Sequence, residues 1–222
     1  LLVGLLGILF ERFLLRRFYS ADPIIGLLLT FGLAMVVEQL IRMVWGAAPL
    51  PASIPSALRG NITVGEFLYS RYRMTMLGVV VVVLIAIWLL LNKTAFGRVV
   101  RAGVQKPDMV AVLGIRLQPY MTAIVVIGVG LAALAGVLFA PIAGVHPAMG
   151  AEILTAAFVV VVIGGLGSFW GVVLAAVLVG VVRGVTIHFF PPAGEASMYL
   201  LMMLVLLFRP RGLLGERIER FE

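Results

Sequence analysis

An all-α bundle of membrane-spanning helices, about six spans with the first one partial, is the fold class this sequence predicts. The first observation behind it is composition: 63% of the 222 residues are hydrophobic and only 12% are charged. A water-soluble domain is about half apolar and a quarter charged, and mean hydropathy here is +1.18. The second is the recurrence of apolar runs near the ~20 residues needed to cross a ~30 Å hydrocarbon core. The third is that basic residues gather in alternate connections between those runs.

Taken in order, residues 1–10 are apolar but reach only ~15 Å as a helix, and they lack the basic start and cleavage site of a signal peptide. They are expected to be the end of a truncated span, with part of the N-terminus missing. Residues 11–22 form a short basic connection. The next span, 24–45, follows Pro23, a favoured first-turn residue. Residues 46–73 read as a polar loop with Pro49, Pro51, Pro55 and Gly60, and 74–91 as a span without a charge. Residues 92–118 are hydrophilic but patterned, 120–140 span again, and 141–150 read as a Pro/Gly-rich turn. Residues 153–163 are apolar but short, ending in Gly164-Gly165-Leu166-Gly167; 170–190 span, 191–197 turn, and 198–208 make the last crossing. The whole of 1–222 is expected to form a single transmembrane domain.

Strict alternation places the connection at 11–22, the loop at 92–118 and the tail on one side. That side holds twelve basic residues, Arg12, Arg16, Arg17, Lys93, Arg98, Arg101, Lys106, Arg116, Arg209, Arg211, Arg217 and Arg220. The other holds three, Arg59, Arg71 and Arg73. Twelve against three makes the first side cytoplasmic. The net charge of +7 is then a matter of basic loops and anionic headgroups, with no nucleic-acid partner. Without cysteine there is no thiolate metal site and no Cys nucleophile.

The loop at 92–118 predicts two short helices. Residues 94–102 (Thr-Ala-Phe-Gly-Arg-Val-Val-Arg-Ala) continue from the preceding span. Pro107 and Asp108 restart a second helix, with an acid near its positive end, and Gly114 sits at a helix-ending position before Ile115. Ala102, Ala111, Val112 and Leu113 give it a small, apolar surface. Such a surface suits docking on a partner better than a solvated basic loop.

In sequence, Thr94, Gly97, Arg101, Ala102, Pro107, Ala111, Gly114 and Ile115 resemble the cytoplasmic coupling loop of permease subunits of branched-chain amino acid ABC transporters. Gly164-Gly165-Leu166-Gly167-Ser168 with Gly171 resembles that family's glycine motif. Phe208-Arg209-Pro210-Arg211-Gly212-Leu213 resembles its C-terminal signature, and Thr30-Phe31-Gly32-Leu33 resembles a stretch of its second-quarter span. The resemblance covers essentially the whole chain and departs from the family at the N-terminus, where members carry further residues. It implies a permease that pairs with a second, similar permease to enclose a path, with two ATP-binding cassette subunits on the cytoplasmic loops. An extracytoplasmic binding protein would deliver the amino acid. The chain itself would be no enzyme and hold no cofactor, ATP being bound by the partner subunits, and it carries no phosphate-cradling GxxxxGK[ST]. The expected location is a bacterial or archaeal cytoplasmic (inner) membrane, and the coupling contacts are Thr94, Gly97, Arg98, Arg101, Ala102, Pro107, Asp108, Ala111, Gly114 and Ile115.

The translocation path is expected beside the glycine stretch, at Gly164, Gly165, Gly167 and Ser168, faced by Thr30, Gly32 and Glu38. Fifteen residues from 153 to 167 reach only ~22 Å as a helix, and broken backbone in a membrane must be buried in protein or line a polar cavity. The alternative is a tight turn whose glycines allow close packing. Glu38 and Arg42, at i and i+4, either line the path or pair structurally near the outer end, with Arg42 snorkelling. Arg183 either ties to Glu152 or Glu195 or meets a substrate carboxylate. His146 and His188 are not expected to form a metal site, and Met198, Met202 and Met203 read as lipid-facing or packing residues.

Two other classes fit less well. An ion-coupled transporter or channel needs serial intramembrane ionisable groups, where only Glu38, Arg42 and Arg183 are available. A membrane enzyme needs clustered His or acids near an interface, and none is present in the sequence. Urea or short amides remain alternative solutes.

Overall fold

A computed structural model of the chain describes residues 7, 12, 23–55, 58–64, 67–105, 107–165 and 167–215. The expected partial first span therefore lies outside the described residues except for Gly7, as do Lys106, Leu166 and the end of the basic tail. The described chain is helical apart from one hairpin and falls into two compact units, Leu1–Pro147 and Ala148–Glu222.

In the first unit, α1 runs Pro23–Trp45. The loop expected at 46–73 contains a hairpin that sequence reading missed. β1 (Asn61–Val64) pairs antiparallel with β2 (Phe67–Ser70), Asn61 opposite Ser70 and Val64 opposite Phe67. The signal was present as β-branched and aromatic residues on either side of the dipeptide Gly65-Glu66. Helix α2 (Arg71–Lys93) follows directly, then α3 (Ala95–Gln105), α4 (Pro107–Val112) and α5 (Gln118–Ala143). Buried Tyr72 at the start of α2 donates its hydroxyl to the Leu138 carbonyl near the end of α5, at 2.7 Å. A two-residue bridge joins Leu50 and Val145 at 2.8 and 3.0 Å. An open groove of about 540 Å³ beside the hairpin is lined by Asn61, Tyr69, Tyr72, Arg73, Pro141 and Ile142, among others.

Helix α5 corrects the turn expected from Pro141 onward, because it continues through that proline to Ala143. Proline lacks one helical hydrogen bond. In the last turn this removes a single bond, which a 26-residue apolar helix tolerates.

The second unit is α6 (Met149–Gly164), α7 (Phe169–Phe189), a single 3₁₀ turn at Pro191–Ala193 and α8 (Gly194–Phe208). Two of these helices start earlier than hydropathy indicates. Glu152 and Glu195 sit in the first turns of α6 and α8, where an acid complements the positive end of the helix. A hydropathy reading takes such polar turns for loop. The core of this unit is Val159, Ile163, Ala175, Val179 and Met198, with Leu213 of the C-terminal segment packed against it.

Among the described residues five helical stretches are long and apolar enough to cross a membrane, the fifth being α8 together with its preceding 3₁₀ turn (Pro191–Phe208), while α6 is shorter. Its 16 residues make ~24 Å, less than the ~30 Å core. In lipid, close packing of small residues takes over the role that water exclusion plays in soluble proteins.

Candidate functional site

The connection between α2 and α5 is built by local capping. Thr94 has extended backbone and ends α2, and its hydroxyl accepts from the Gly97 amide at 3.3 Å. That is an N-cap bond to the third residue of α3, so one threonine stops one helix and starts the next. Gly97 is buried, and a Cβ there would overlap the carbonyl of Leu91. The buried residues of α3, Gly97, Val100 and Gly103, recur every three residues and so share one face. Phe96 stacks near Tyr120 of α5, with ring centroids 5.7 Å apart. Arg101 reaches back to the Asn92 side chain at 3.1 Å.

The end of α4 is a Schellman cap. The Gly114 amide donates to Ala111 at 2.9 Å and the Ile115 amide to Val110 at 3.3 Å. Gly114 takes φ +75, a left-handed backbone that glycine adopts without strain.

This helical pair exposes several large apolar side chains. Val104, Met109, Val112 and Leu113 are 70%, 64%, 84% and 75% exposed. Arg98, Arg101, Ala102, Ala111 and Gly114 are exposed with them, while Ile115 is half-buried. Sequence reading named Ala102, Ala111, Val112 and Leu113 but missed Val104 and Met109, which are exposed as well. The side chains of Pro107 and Asp108 lie outside the described ones.

The glycine stretch and the C-terminal signature prove to be one structure. Helix α6 ends at Gly164, Ser168 accepts from the Gly171 amide at 3.1 Å, and α7 begins. A Cβ on Gly164 would lie 2.6 Å from the backbone of Val172. Gly165, at φ +93, has the backbones of Gly215 and Gly212 against it; a Cβ there would meet Gly215 Cα at 2.6 Å. The Leu213 amide donates to the Ile163 carbonyl at 2.8 Å and the Leu214 amide to Gly164 at 3.2 Å. The last carbonyls of a helix have no intrahelical partner, and here the chain's own C-terminal segment supplies two. Gly164 and Gly165 are buried in this contact, Ser168 is half-buried and Gly167 is exposed.

In α1, Arg42 holds the Glu38 carboxylate through Nη2 at 2.6 Å and Nε at 3.2 Å. Thr30 and Gly32 are both exposed, but two residues turn a helix through ~200°. The structure therefore sets them on opposite sides of α1.

Arg183 lies within α7, two-thirds of the way along it. Among the described residues no salt bridge joins it to Glu152 or Glu195, so neither expected structural tie forms. Its Nε is shielded from solvent and has no hydrogen-bond partner. An uncompensated arginine inside a span is costly, from ~3 to more than 10 kcal/mol at the bilayer centre and less toward the interface. Among the described residues, no group of His, Cys, Asp and Glu is placed to hold a metal ion.

Comparison with known proteins agrees with this architecture. The family model described as "Branched-chain amino acid transport system / permease component" matches residues 1–208. The high-affinity branched-chain amino acid transport system permease protein BraD of Pseudomonas aeruginosa is 29% identical over 217 residues, 95% of this chain and 70% of the relative. LivH of Escherichia coli, of the same description, is 27% identical over 213 residues, 93% of this chain and 68% of its own. A probable branched-chain amino acid transport permease protein LivH of Methanocaldococcus jannaschii is 27% identical over 145 residues, covering 62% and 46%. No solved structure matches the chain. With membrane-length helices on the page and a family model covering residues 1–208, the chain is a multi-pass membrane protein that belongs to the branched-chain amino acid transport permease family.

Proposed function

We propose that this chain is one of two membrane-spanning halves of an ATP-driven importer of branched-chain amino acids. The single observation that carries the mechanism is the exposed apolar surface on α3 and α4. A connection that is otherwise basic presents Val104, Met109, Val112 and Leu113 outward, and a contiguous exposed apolar patch marks an interaction site. It is held rigidly by the Thr94 cap, the Gly97 contact and the Gly114 cap. A rigid surface is what transmits a partner's movement to α2 and α5. The partner is an ATP-binding subunit, one for each of two permeases, and hydrolysis belongs to it; this chain holds no nucleotide or other cofactor. An extracytoplasmic protein delivers the solute. The path runs beside the turn at Gly164–Ser168.

The test is to co-purify the chain with its neighbouring subunits and reconstitute the complex in liposomes with loaded binding protein. Leucine uptake and ATP hydrolysis are followed together. Ala111→Trp, a bulky residue on the exposed patch, should leave the chain in the membrane and cut leucine uptake about tenfold, as loss of one interface contact of 1–2 kcal/mol does. Normal uptake in this variant would remove the docking role. Uptake of urea but not leucine by the unmodified complex would replace the substrate.

A further inference from the structure

On the reading that this chain conducts an amino acid, we infer that Arg183 binds the solute's carboxylate during passage. Of the four arginines in the described spans of membrane length, Arg71 and Arg73 lie in the first turn of α2, and the other two differ in one respect. Arg42 is already neutralised by Glu38 at 2.6 Å. Arg183 has no salt bridge to Glu152 or Glu195, and its Nε is enclosed without an acceptor.

The helix does not compensate the charge either. Arg183 is six residues from Phe189, the end of α7, which is ~9 Å. The negative end of a helix acts only over its last turn.

The surface of α7 flanking Arg183 is open. Gly180 and Gly184 lie at i−3 and i+1, and a Cβ built on either meets nothing within 4 Å. The planar fork of arginine matches a carboxylate through two parallel hydrogen bonds. A zwitterion moving through an apolar helix bundle needs such a partner, because an unpaired carboxylate away from water is costly. A fixed cation without a fixed anion supplies it and is free again once the solute leaves. The apolar side chain of the solute is served by the surrounding Val and Ile of α7.

The experiment compares the unmodified complex with Arg183→Gln and Arg183→Lys in liposomes with loaded binding protein, reading leucine moved per ATP hydrolysed. Arg183→Gln should lower that ratio about tenfold or more, the worth of a charge-assisted pair. Its subunits should still co-purify and its hydrolysis should still respond to the loaded binding protein. Arg183→Lys should fall between, because an ammonium keeps the charge without the fork. An unchanged ratio in Arg183→Gln overturns the inference and leaves the proposed function standing. Loss of co-purification with the second permease, restored in Arg183→Lys, also overturns it and assigns the charge to an acid of that subunit. If the unmodified complex carries urea and no leucine, the substrate reading fails, and the inference with it, since urea has no carboxylate.

Discussion

At Gly97 one methyl group would overlap the Leu91 carbonyl, and at Gly165 it would strike the Gly215 backbone on a left-handed φ of +93. These residues are small for different reasons, the first to let α3 fold back beneath α2, the second to admit the C-terminal segment. The Glu38–Arg42 pair is the other residue-scale feature with a direct consequence. It is half-exposed, at 27% and 43% of the side chains, on a helix of mostly apolar residues. Glu38→Gln leaves Arg42 without its counter-ion inside the span, and the detergent-solubilised protein should lose on the order of 3–6 °C in Tm, corresponding to 1–2 kcal/mol. The double variant Glu38→Gln with Arg42→Gln removes both charges and should lose less than Glu38→Gln alone. Equal losses in the two would mean that the pair contributes nothing beyond helix packing.

Among the elements, the turn between α6 and α7 depends on a segment more than forty residues later in the chain. The Leu213 amide serves the Ile163 carbonyl, while the Leu213 side chain packs on the core of α6, α7 and α8. Two substitutions separate these contributions. Leu213→Ala removes packing alone, whereas Leu213→Pro also removes the donor and orphans a carbonyl at a buried residue. The proline variant should be less stable than the alanine variant by about 1–3 kcal/mol, read as an earlier thermal transition. Identical transitions would show that water serves the Ile163 carbonyl equally well. The hairpin and the first turns of α6 and α8 belong to this scale as well. The first turns were hidden by polarity and the hairpin by its place in a loop, because hydropathy reports which residues suit lipid and is silent on ordered structure beside it.

For the whole molecule, the twelve-to-three distribution of basic residues predicts on which side each connection lies. Asn61 begins β1 and is exposed, and Gln105 ends α3 and is exposed. The chain has no native cysteine, so each can be replaced singly by cysteine in an otherwise silent background. An impermeant thiol reagent applied to intact cells should label Asn61→Cys and leave Gln105→Cys unlabelled until the membrane is opened. The reverse pattern would invert the topology and remove the ATPase-facing surface from the cytoplasm.

The sequence alone determined the membrane class, the order of the spans, the two helices at 92–118 and the family. Hydropathy, helix-breaking residues and charge asymmetry are local properties that a one-dimensional pattern records directly. Thr94, Pro107 and Gly114 were legible because caps act over three or four neighbouring residues. Only the tertiary structure decided that the glycine motif and the C-terminal signature are two sides of one contact. It also decided that Arg183 has neither Glu152 nor Glu195 as its partner, and that Val104 and Met109 complete the exposed patch. Those facts depend on which distant backbones approach within a few ångströms. Steric exclusion at Gly164 and Gly165, and the hydrogen bonds Leu213 and Leu214 make across it, exist only once the helices have packed.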